Sequence, residues 1–296
     1  MAKIFYESFS VWEKLLFMLS LLLIVVVVFR PKVYIEGFKT EIKGYVEKSN
    51  EDLYDDFYSE IYDYLVFSNI RNQYEIGIIN QTNPTSQSII LDIGCGTGNV
   101  VHSLNEQGLN VLGVDESQSM INKTIEKYPH LNNKLVKGNI LQTHLFPLYR
   151  FTHVLCLYFT IYYLKNKSLF LENVYDWLKP GGVFILHLVN RDQFSPLLPM
   201  NTHKRRENGK YSKIQFTQFD YESNFELYKD ANTGVFKERF RNKRGDTRKQ
   251  QHTFYMEDQK TIITMAQKIG FIIESKINME EIKYNHQYLY ILKKPH

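Results

Sequence analysis

The sequence predicts an α/β fold whose centre is a doubly wound, mostly parallel seven-stranded sheet. Three observations lead to this prediction. Apolar runs of strand length alternate with segments of helical periodicity, glycine or proline separates most of these segments, and a glycine-rich turn joins the first strand of the series to its first helix. A chain that alternates strands and helices in this way builds a parallel sheet. Ligands of such sheets bind beyond the carboxyl ends of the strands, which is where the site is expected.

The elements of this series follow one another from residue 88 to the end of the chain. The expected strands cover residues 88–91, 110–114, 134–137, 152–157, 183–189, 271–275 and 287–293. The expected helices cover residues 99–107, 117–128, 168–178 and 257–269. Ser117 and Ser168 are the expected N-caps, and Gly108 and Gly270 the expected stops. The turn Lys179-Pro180-Gly181-Gly182 separates the third helix from the fifth strand.

An apolar segment near the N-terminus predicts a membrane anchor over residues 1–30. Its core is residues 15–29, and counting from residue 11 gives a transmembrane helix over residues 11–29. A cleaved signal peptide and a buried helix are the alternatives, which the missing cleavage site and the missing polar face disfavour. The positive-inside rule then predicts a single-pass protein whose later residues face the cytosol. The basic residues used are Arg30, Lys32, Lys39 and Lys43, against Lys3 and Lys14 on the other side.

The rest of the chain divides into a connector and one large domain. Residues 31–50 are mostly polar and predict a juxtamembrane connector, and residues 51–296 predict the domain itself. Within that domain, residues 195–255 break the alternation of strands and helices. Aromatic and β-branched runs are separated there by turn residues, which predicts inserted antiparallel strands that cover the substrate.

Composition argues against several kinds of site. A net charge of +4 over 296 residues is too small to predict nucleic-acid binding. Residues 201–250 contain 13 Lys and Arg against 7 Asp and Glu. This excess of positive charge predicts a solvated face, or a surface that attracts anionic lipid head groups or an acidic substrate. RNA is a further alternative, but the sequence has no stacking motif of an RNA-recognition module. The two cysteines, Cys95 and Cys156, form no CxxC pair, and the nine histidines show no metal-ligand spacing, so no metal is expected.

The turn after the first strand carries the strongest functional signal. Gly94, Gly96 and Gly98 alternate with other residues, which lets the backbone turn tightly and approach a ligand closely. A dinucleotide-binding turn would place its third glycine one residue later, and Asp92 would repel a pyrophosphate. The turn therefore predicts a ligand that carries cationic groups.

Residues 92–98 resemble the glycine-rich motif of class I S-adenosylmethionine-dependent methyltransferases, and the resemblance continues through most of residues 50–295. It implies S-adenosylmethionine as cofactor, with Asp115 accepting from both ribose hydroxyls. It also implies that Met120 packs on the adenine and that Asn139 stands where the family usually has an acid. The cofactor contacts that it implies are Asp92, Gly94, Cys95, Gly96, Gly98, Asp115, Glu116, Met120, Asn139, Ile140 and Cys156.

Aromatic and histidine side chains supply the remaining candidates. Tyr54 and Tyr58 lie in a stretch that resembles the opening helix of small-molecule methyltransferases, where a tyrosine covers the cofactor; packing in the core is the alternative. Tyr158, at the end of the fourth strand, and His187, on the fifth, are the catalytic candidates. A core position is the simpler interpretation of His187, and Cys95 is interpreted as a small loop filler.

These features predict an enzyme that transfers a methyl group to an oxygen or nitrogen of a small molecule or a lipid. The Asn/Asp-Pro-Pro-Tyr motif of amino-base methyltransferases is absent, which argues against a nucleic-acid acceptor. A non-catalytic, membrane-anchored scaffold that keeps the fold is the alternative.

Overall fold

The structure is a computed structural model that describes residues 10–28, 40–196, 210–216 and 218–296. The chain forms two compact units, residues 1–37 and residues 38–296. In the first unit, Ser10 caps the helix α1 (Val11–Val28). The Ser10 hydroxyl accepts from the backbone N–H of Glu13, whose carboxylate accepts in return from the Ser10 N–H at 2.7 Å. This reciprocal capping box fixes where the helix begins.

The prediction of a transmembrane helix over residues 11–29 is not supported. Within the ranges that the structure describes, no helix is long and apolar enough to cross a membrane. Helix α1 has 18 residues and carries Glu13 in its first turn. Arg30, Lys32 and Lys39, on which the predicted orientation in the membrane mainly depends, lie outside the described ranges.

The second unit combines twelve strands and six helices among its described residues. The strands are β1 (Tyr45–Ser49), β2 (Ile89–Ile93), β3 (Asn110–Asp115), β4 (Leu135–Lys137), β5 (Phe151–Cys156), β6 (Leu178–Val189), β7 (Lys210–Gln215), β8 (Phe219–Tyr228), β9 (Thr233–Asn242), β10 (Thr247–Tyr255), β11 (Ile272–Asn278) and β12 (Gln287–Lys293). The helices are α2 (Asp56–Val66), α3 (Asn69–Gln81), α4 (Asn99–Glu106), α5 (Gln118–Lys127), α6 (Lys167–Trp177) and α7 (Gln259–Ile269).

Seven of these strands form the main sheet, in the order β11-β12-β6-β5-β2-β3-β4. Strands β4, β3, β2, β5 and β6 pair in parallel, and β12 runs antiparallel to β6 and to β11. The predicted α/β fold with a mostly parallel, mixed sheet is confirmed. Its strand order reverses between β2 and β5, which places the crevice for a ligand at the ends of these two strands.

Alternating residues of the central strands enter two separate hydrophobic clusters. Leu91, Val154 and Phe184 belong to one cluster, whereas their chain neighbours Ile90 and Leu155 belong to the other. Because successive side chains of a strand point to opposite faces, both faces of the sheet are covered. This is the arrangement of a doubly wound sheet.

Several element boundaries differ from the prediction, and two of the differences have a clear physical reason. Asn166, rather than Ser168, caps α6, because its side-chain oxygen accepts from the backbone N–H of Leu169 at 3.1 Å. Strand β6 begins at Leu178, so the predicted turn Lys179–Gly182 lies inside the strand. It forms an irregularity there: Phe151 pairs with Leu178, but His153 pairs with Val183. A bulge lets the chain turn without ending the strand pairing.

Strands β7 to β10 form the predicted antiparallel cover, called the cover sheet below. Its order is β1-β10-β9-β8-β7, and β1 joins it by pairing in parallel with β10. Strand β1 lies within the segment predicted as a connector. Its sequence, YVEKS, is too polar to have predicted a strand. The cover sheet packs on α2, because Phe57 and Tyr58 share a cluster with Tyr221 and Phe240. Residues 197–209 and 217 of the predicted insertion lie outside the described ranges.

Candidate active site

The glycine-rich turn after β2 depends on glycine for two separate reasons. Gly94, Gly96 and Gly98 have φ angles of +68°, +54° and +75°, in the left-handed region that other residues rarely adopt. A Cβ at Gly94 would also lie 2.7 Å from the side chain of Thr160, and one at Gly98 would collide with Thr124. The alternating glycines therefore keep open a turn that is packed from both sides.

Asp115 is fixed against this turn at the end of β3. One carboxylate oxygen accepts from the backbone N–H of Gly96 at 2.9 Å, and the other accepts from the N–H of Ser117 at 2.9 Å. Burial raises the pKa of Asp115, which the two N–H groups oppose. Each carboxylate oxygen keeps a second acceptor position. The group is thus oriented and can still accept from two neighbouring hydroxyls of a ligand.

Asp92, at the end of β2, is 3% exposed. Burial raises its pKa well above the usual range, and the carboxylates of Glu75 and Asp115 raise it further. A cationic group placed beside it would lower that pKa and stabilise the charged form. The position thus suits an ammonium or sulfonium, as the sequence predicted.

The sequence reasoning missed two charged residues of α3, of which Glu75 acts on the carboxylate of Asp92. Arg71 and Glu75 are both buried, and Nε of Arg71 is 3.8 Å from Oε1 of Glu75. Neither of these atoms has a hydrogen-bond partner among the described residues. The guanidinium lies 4.0 Å from the centre of the Tyr158 ring. Buried polar atoms without partners are rare in folded proteins, so this pair is a candidate for binding a charged ligand. Its only sequence signal was the i, i+4 spacing.

Burial raises the pKa of Glu75 to about 7, although Arg71 lowers it. Between the ordinary value near 4.5 and about 7, the folded protein keeps a proton that the unfolded chain has lost. The free energy of unfolding therefore falls by about 3 kcal/mol as the pH rises through this window. We expect Glu75→Gln to lack this loss, so that its stability relative to the wild type increases from pH 5 to pH 7.5. Urea unfolding at both pH values measures this difference, and equal pH dependence in the two proteins would contradict it.

The two catalytic candidates lie close together at the ends of β5 and β6. Tyr158 has a φ of +53° and is half-buried. His187 is completely buried, and its ring centre is 6.3 Å from that of Tyr158. Burial and the Arg71 guanidinium lower the pKa of His187 to about 3. The imidazole is therefore neutral at physiological pH and a poor proton acceptor, which favours the core interpretation.

The candidate adenine contacts lie around α5 and the segment after β4. Met120 and Ile140 are almost fully buried. The side chain of Asn139 donates to Glu116 at 2.9 Å, and its oxygen accepts from the backbone N–H of Leu141 at 2.8 Å. One acceptor position of that oxygen is thus already used, which weakens the contact that the sequence predicted for it.

The two cysteines are buried, and burial raises both thiol pKa values. A Cβ on Gly113 would lie 2.8 Å from the sulfur of Cys95, so this side chain fills space between the turn and β3. Cys156 is the last residue of β5, beside the candidate site. Thiols held in this protonated state are poor nucleophiles, and we assign neither of them a covalent role.

The tyrosines of the opening helix lie under the cover sheet. Tyr54 is half-buried, and its carbonyl accepts from the hydroxyl of Ser117 at 2.5 Å. The hydroxyl of Tyr58 donates to Glu238 of β9 at 2.9 Å, in a buried position. Tyr54 is therefore next to the loop that carries Asp115, whereas Tyr58 is tied to the cover sheet.

One surface group among the described residues has side chains that metals accept as ligands. It consists of His102, Glu106 and His130, and Oε1 of Glu106 is 4.0 Å and 3.7 Å from the two imidazoles. The sequence reasoning missed it because His130 is distant from the other two in the chain. The ring of His102 stacks on Tyr128 with centres 4.0 Å apart, which accounts for its position.

The chain is similar to known proteins in the region that contains these residues. Residues 91–184, which run from β2 into β6, match a family described as a methyltransferase domain. This part of the chain is therefore similar to a methyltransferase domain. The matched region includes the glycine-rich turn, Asp115, Asn139 and the end of β5, so it covers most of the residues that the sequence singled out.

Several curated relatives are named as ubiquinone biosynthesis O-methyltransferases. The chain is 33% identical over 161 residues to the ubiquinone biosynthesis O-methyltransferase of Rickettsia canadensis (strain McKiel). This region is 49% of the present chain and 66% of the relative. The chain thus spans just under two thirds of the length of that relative.

Solved structures with the same fold cover most of the chain. The CcbJ methyltransferase from Streptomyces caelestis is similar with a TM-score of 0.66 at 17% identity, over 82% of this chain and 98% of that one. CalS10, an amino pentose methyltransferase from Micromonospora echinaspora solved with S-adenosylmethionine bound, gives a TM-score of 0.57 at 16% identity, over 76% of this chain and 90% of that one. The second unit therefore has the fold of S-adenosylmethionine-dependent methyltransferases.

Proposed function

We propose that the protein transfers the methyl group of S-adenosylmethionine to a hydroxyl oxygen of a small, planar molecule. The observation that carries this proposal is the Asp115 carboxylate, held on Gly96 and Ser117 beside three left-handed glycines. The name of the Rickettsia relative, an O-methyltransferase of ubiquinone biosynthesis, supports oxygen as the acceptor atom.

The described residues fit each part of S-adenosylmethionine. Asp115 offers acceptors for the two ribose hydroxyls, and the buried Asp92 offers a negative charge to the ammonium group. Nε of Arg71 offers an unused donor to the carboxylate of the methionine part, and Met120 offers an apolar surface to the adenine. When bound, the cofactor supplies a methyl group on a positively charged sulfur. The protein then has to align an acceptor for in-line attack and exclude water.

The rings around the end of β5 favour a flat acceptor. Phe159 packs on Phe194 with ring centres 4.8 Å apart and on Phe254 at 5.8 Å. Tyr163 packs edge-on against Phe254 at 5.0 Å. Aromatic side chains in these arrangements give planar ligands large contact areas. A lipid acceptor, and the membrane location with the domain in the cytosol, stay predictions from the sequence.

A turnover assay on the full chain tests the proposal. We expect S-adenosylhomocysteine to form when S-adenosylmethionine and a catechol, 3,4-dihydroxybenzoate, are supplied, and we expect the catechol to gain one methyl group on oxygen. Aniline, a planar amine, serves as the matched probe without a hydroxyl. Methylation of the amine in preference to the catechol would overturn the choice of oxygen. Tight cofactor binding without turnover of any supplied acceptor would favour the non-catalytic scaffold.

A further inference from the structure

A buried ionic group lies in the cover sheet, outside the glycine-rich turn and the residues assigned above. Glu238 of β9 is 3% exposed and His252 of β10 is 2% exposed. A buried carboxylate is expensive unless it is paired and hydrogen-bonded. Glu238 receives four donors: Tyr58 at 2.9 Å, Tyr221 at 2.6 Å, Gln250 at 2.5 Å and Nε2 of His252 at 2.7 Å. Burial raises the pKa of Glu238, but His252 and the hydrogen-bond donors lower it by a larger amount. The pKa therefore lies below its ordinary value, and the group is ionised.

The hydrogen bonds of this group have one consistent direction. Because Glu238 is an acceptor, Nε2 of His252 carries a hydrogen, and in the tautomer that carries its hydrogen there, Nδ1 is an acceptor. Nδ1 lies 2.7 Å from the hydroxyl of Tyr163, and that hydroxyl accepts from Tyr54 at 2.7 Å. Burial raises the pKa of Tyr54 and Tyr163 well above the usual range, so both hydroxyls keep their protons. The chain Tyr54 to Tyr163 to His252 can therefore carry a proton toward Nδ1.

Tyr54, the outer residue of this chain, has its backbone and ring beside the cofactor loop. The carbonyl of Tyr54 binds the hydroxyl of Ser117, whose backbone N–H binds Asp115. The Tyr54 ring is 6.1 Å from the ring of Tyr62, which comes within 3.7 Å of a Cβ built on Gly96. Tyr54 thus connects the glycine-rich turn to the cover sheet.

We propose that His252, oriented by Glu238, is the final proton acceptor of methyl transfer, and that Tyr163 and Tyr54 carry the proton to it. This inference rests on the proposed function. The acceptor oxygen forms a bond to the methyl carbon while the carbon–sulfur bond breaks, and the electron pair of that bond stays on sulfur. The hydroxyl proton passes to Tyr54, the Tyr54 proton to Tyr163 and the Tyr163 proton to Nδ1. The resulting imidazolium is stabilised by Glu238 and later releases its proton to solvent.

Among the described residues, Glu238 is the charged group that contacts the ring of His252. The other polar groups that contact or face the ring are Gln250, Tyr54, Tyr58 and Tyr163. The remaining ring neighbours are Phe236 and Phe254. Their apolar surfaces shield the pair from water, which strengthens its electrostatic interaction.

The first test is the pH dependence of turnover with 3,4-dihydroxybenzoate. In the wild type, kcat should rise with pH through one ionisation and then reach a plateau. His252→Gln and Tyr163→Phe should lower kcat at least about 100-fold and lose this inflection, with the KM for S-adenosylmethionine changed less than about threefold. Tyr290→Phe removes another buried tyrosine hydroxyl, which donates to Gln259, and should behave like the wild type. An unchanged inflection in His252→Gln or in Tyr163→Phe would overturn the proposal.

The second test needs no turnover. Nitrogen-15 spectra of the histidine rings in the full chain, with His252 assigned from the missing signals of His252→Gln, should show at pH 8 a hydrogen on Nε2 and none on Nδ1. A hydrogen on Nδ1 would overturn the proposal, because that nitrogen would have no lone pair to offer. If the wild type fails to methylate the probe, the proposed acceptor is wrong and this spectrum still decides the state of His252. Tyr163→Phe keeps the packing of its ring, so it decides the kinetic test if His252→Gln does not fold.

Discussion

Replacing Asp115 with alanine is expected to weaken S-adenosylmethionine binding about 100-fold. The carboxylate has acceptor positions for two ribose hydroxyls, and a hydrogen bond to a charged group contributes roughly 1.5–3 kcal/mol. Two such bonds, counted at the low end, give about 3 kcal/mol, which corresponds to about two factors of ten in the dissociation constant. The same substitution removes the acceptor that holds Gly96 N–H and Ser117 N–H, so the turn loses its anchor as well. Calorimetric titration of the full chain measures the change.

Two controls accompany this measurement. Asp230→Ala removes an exposed carboxylate between β8 and β9 and should leave the affinity unchanged. S-adenosylhomocysteine has the same ribose without the sulfonium, so Asp115→Ala should weaken its binding by a similar factor. A change of less than about threefold for both ligands would show that the ribose does not bind Asp115.

The sequence contained enough information for the main sheet and the cofactor turn. A continuous apolar run predicted β5. The hydroxyl of Ser117 does cap α5, because it accepts from the backbone N–H of Met120 at 3.1 Å. The glycines and Asp115 could be found because local conformation fixes them: a left-handed φ demands glycine, and a strand end places one side chain at the crevice. Where adjacent residues decide the structure, local reasoning was sufficient.

The polar group of the cover sheet could not be found in this way. Glu238 pairs directly with Gln250, and His252 pairs with Phe236, so the group depends on the register between β9 and β10. The alternation of β9 shows only that residues 236, 238 and 240 share a face with one another. A buried glutamate among phenylalanines looks like a solvent-facing residue until a second layer covers it. That layer is α2, whose separation from β9 is about 180 residues, as in the contact of Tyr58 with Glu238.

Arg71 and Glu75 were missed for a similar reason. Helix α3 has little amphipathic pattern, since Asn, Gln and Arg are distributed around it, and both faces meet other parts of the domain. A charged i, i+4 pair on such a helix usually lies in water. Here the pair faces the ends of β2 and β6, where Asp92 and His187 add further ionisable groups. Its burial follows from the tertiary packing of α3.

The unsupported part of the N-terminal prediction concerns length rather than helicity. The apolar run predicted a helix, and α1 is a helix. Hydrophobicity specifies which solvent a helix prefers, but a span also requires a continuous length, and Glu13 and Lys14 were counted as part of it. The two requirements are independent of each other.

Gly98→Ala is expected to destabilise the domain by about 3 kcal/mol and to abolish cofactor binding under ordinary assay conditions. The left-handed conformation contributes about 1 kcal/mol of this loss, and forcing a methyl group into packed surroundings contributes roughly 1–3 kcal/mol more. The obstacle is Thr124, which is fully buried. Its hydroxyl donates to the carbonyls of Gly96 at 2.8 Å and Met120 at 3.0 Å, so it cannot move without disturbing the turn.

Gly108 offers a matched control for this argument. Its φ of +79° is close to the +75° of Gly98, but a Cβ there meets nothing within 4 Å. Gly108→Ala should therefore lower the free energy of unfolding only by the cost of the left-handed conformation, about 1 kcal/mol. Adding Thr124→Ser to Gly98→Ala removes the colliding methyl group, keeps the hydroxyl, and should restore most of the difference between the two glycine sites. Equal losses at Gly98 and Gly108 in urea unfolding would mean that the turn relaxes around the new methyl group, and that the left-handed conformation alone makes glycine necessary there.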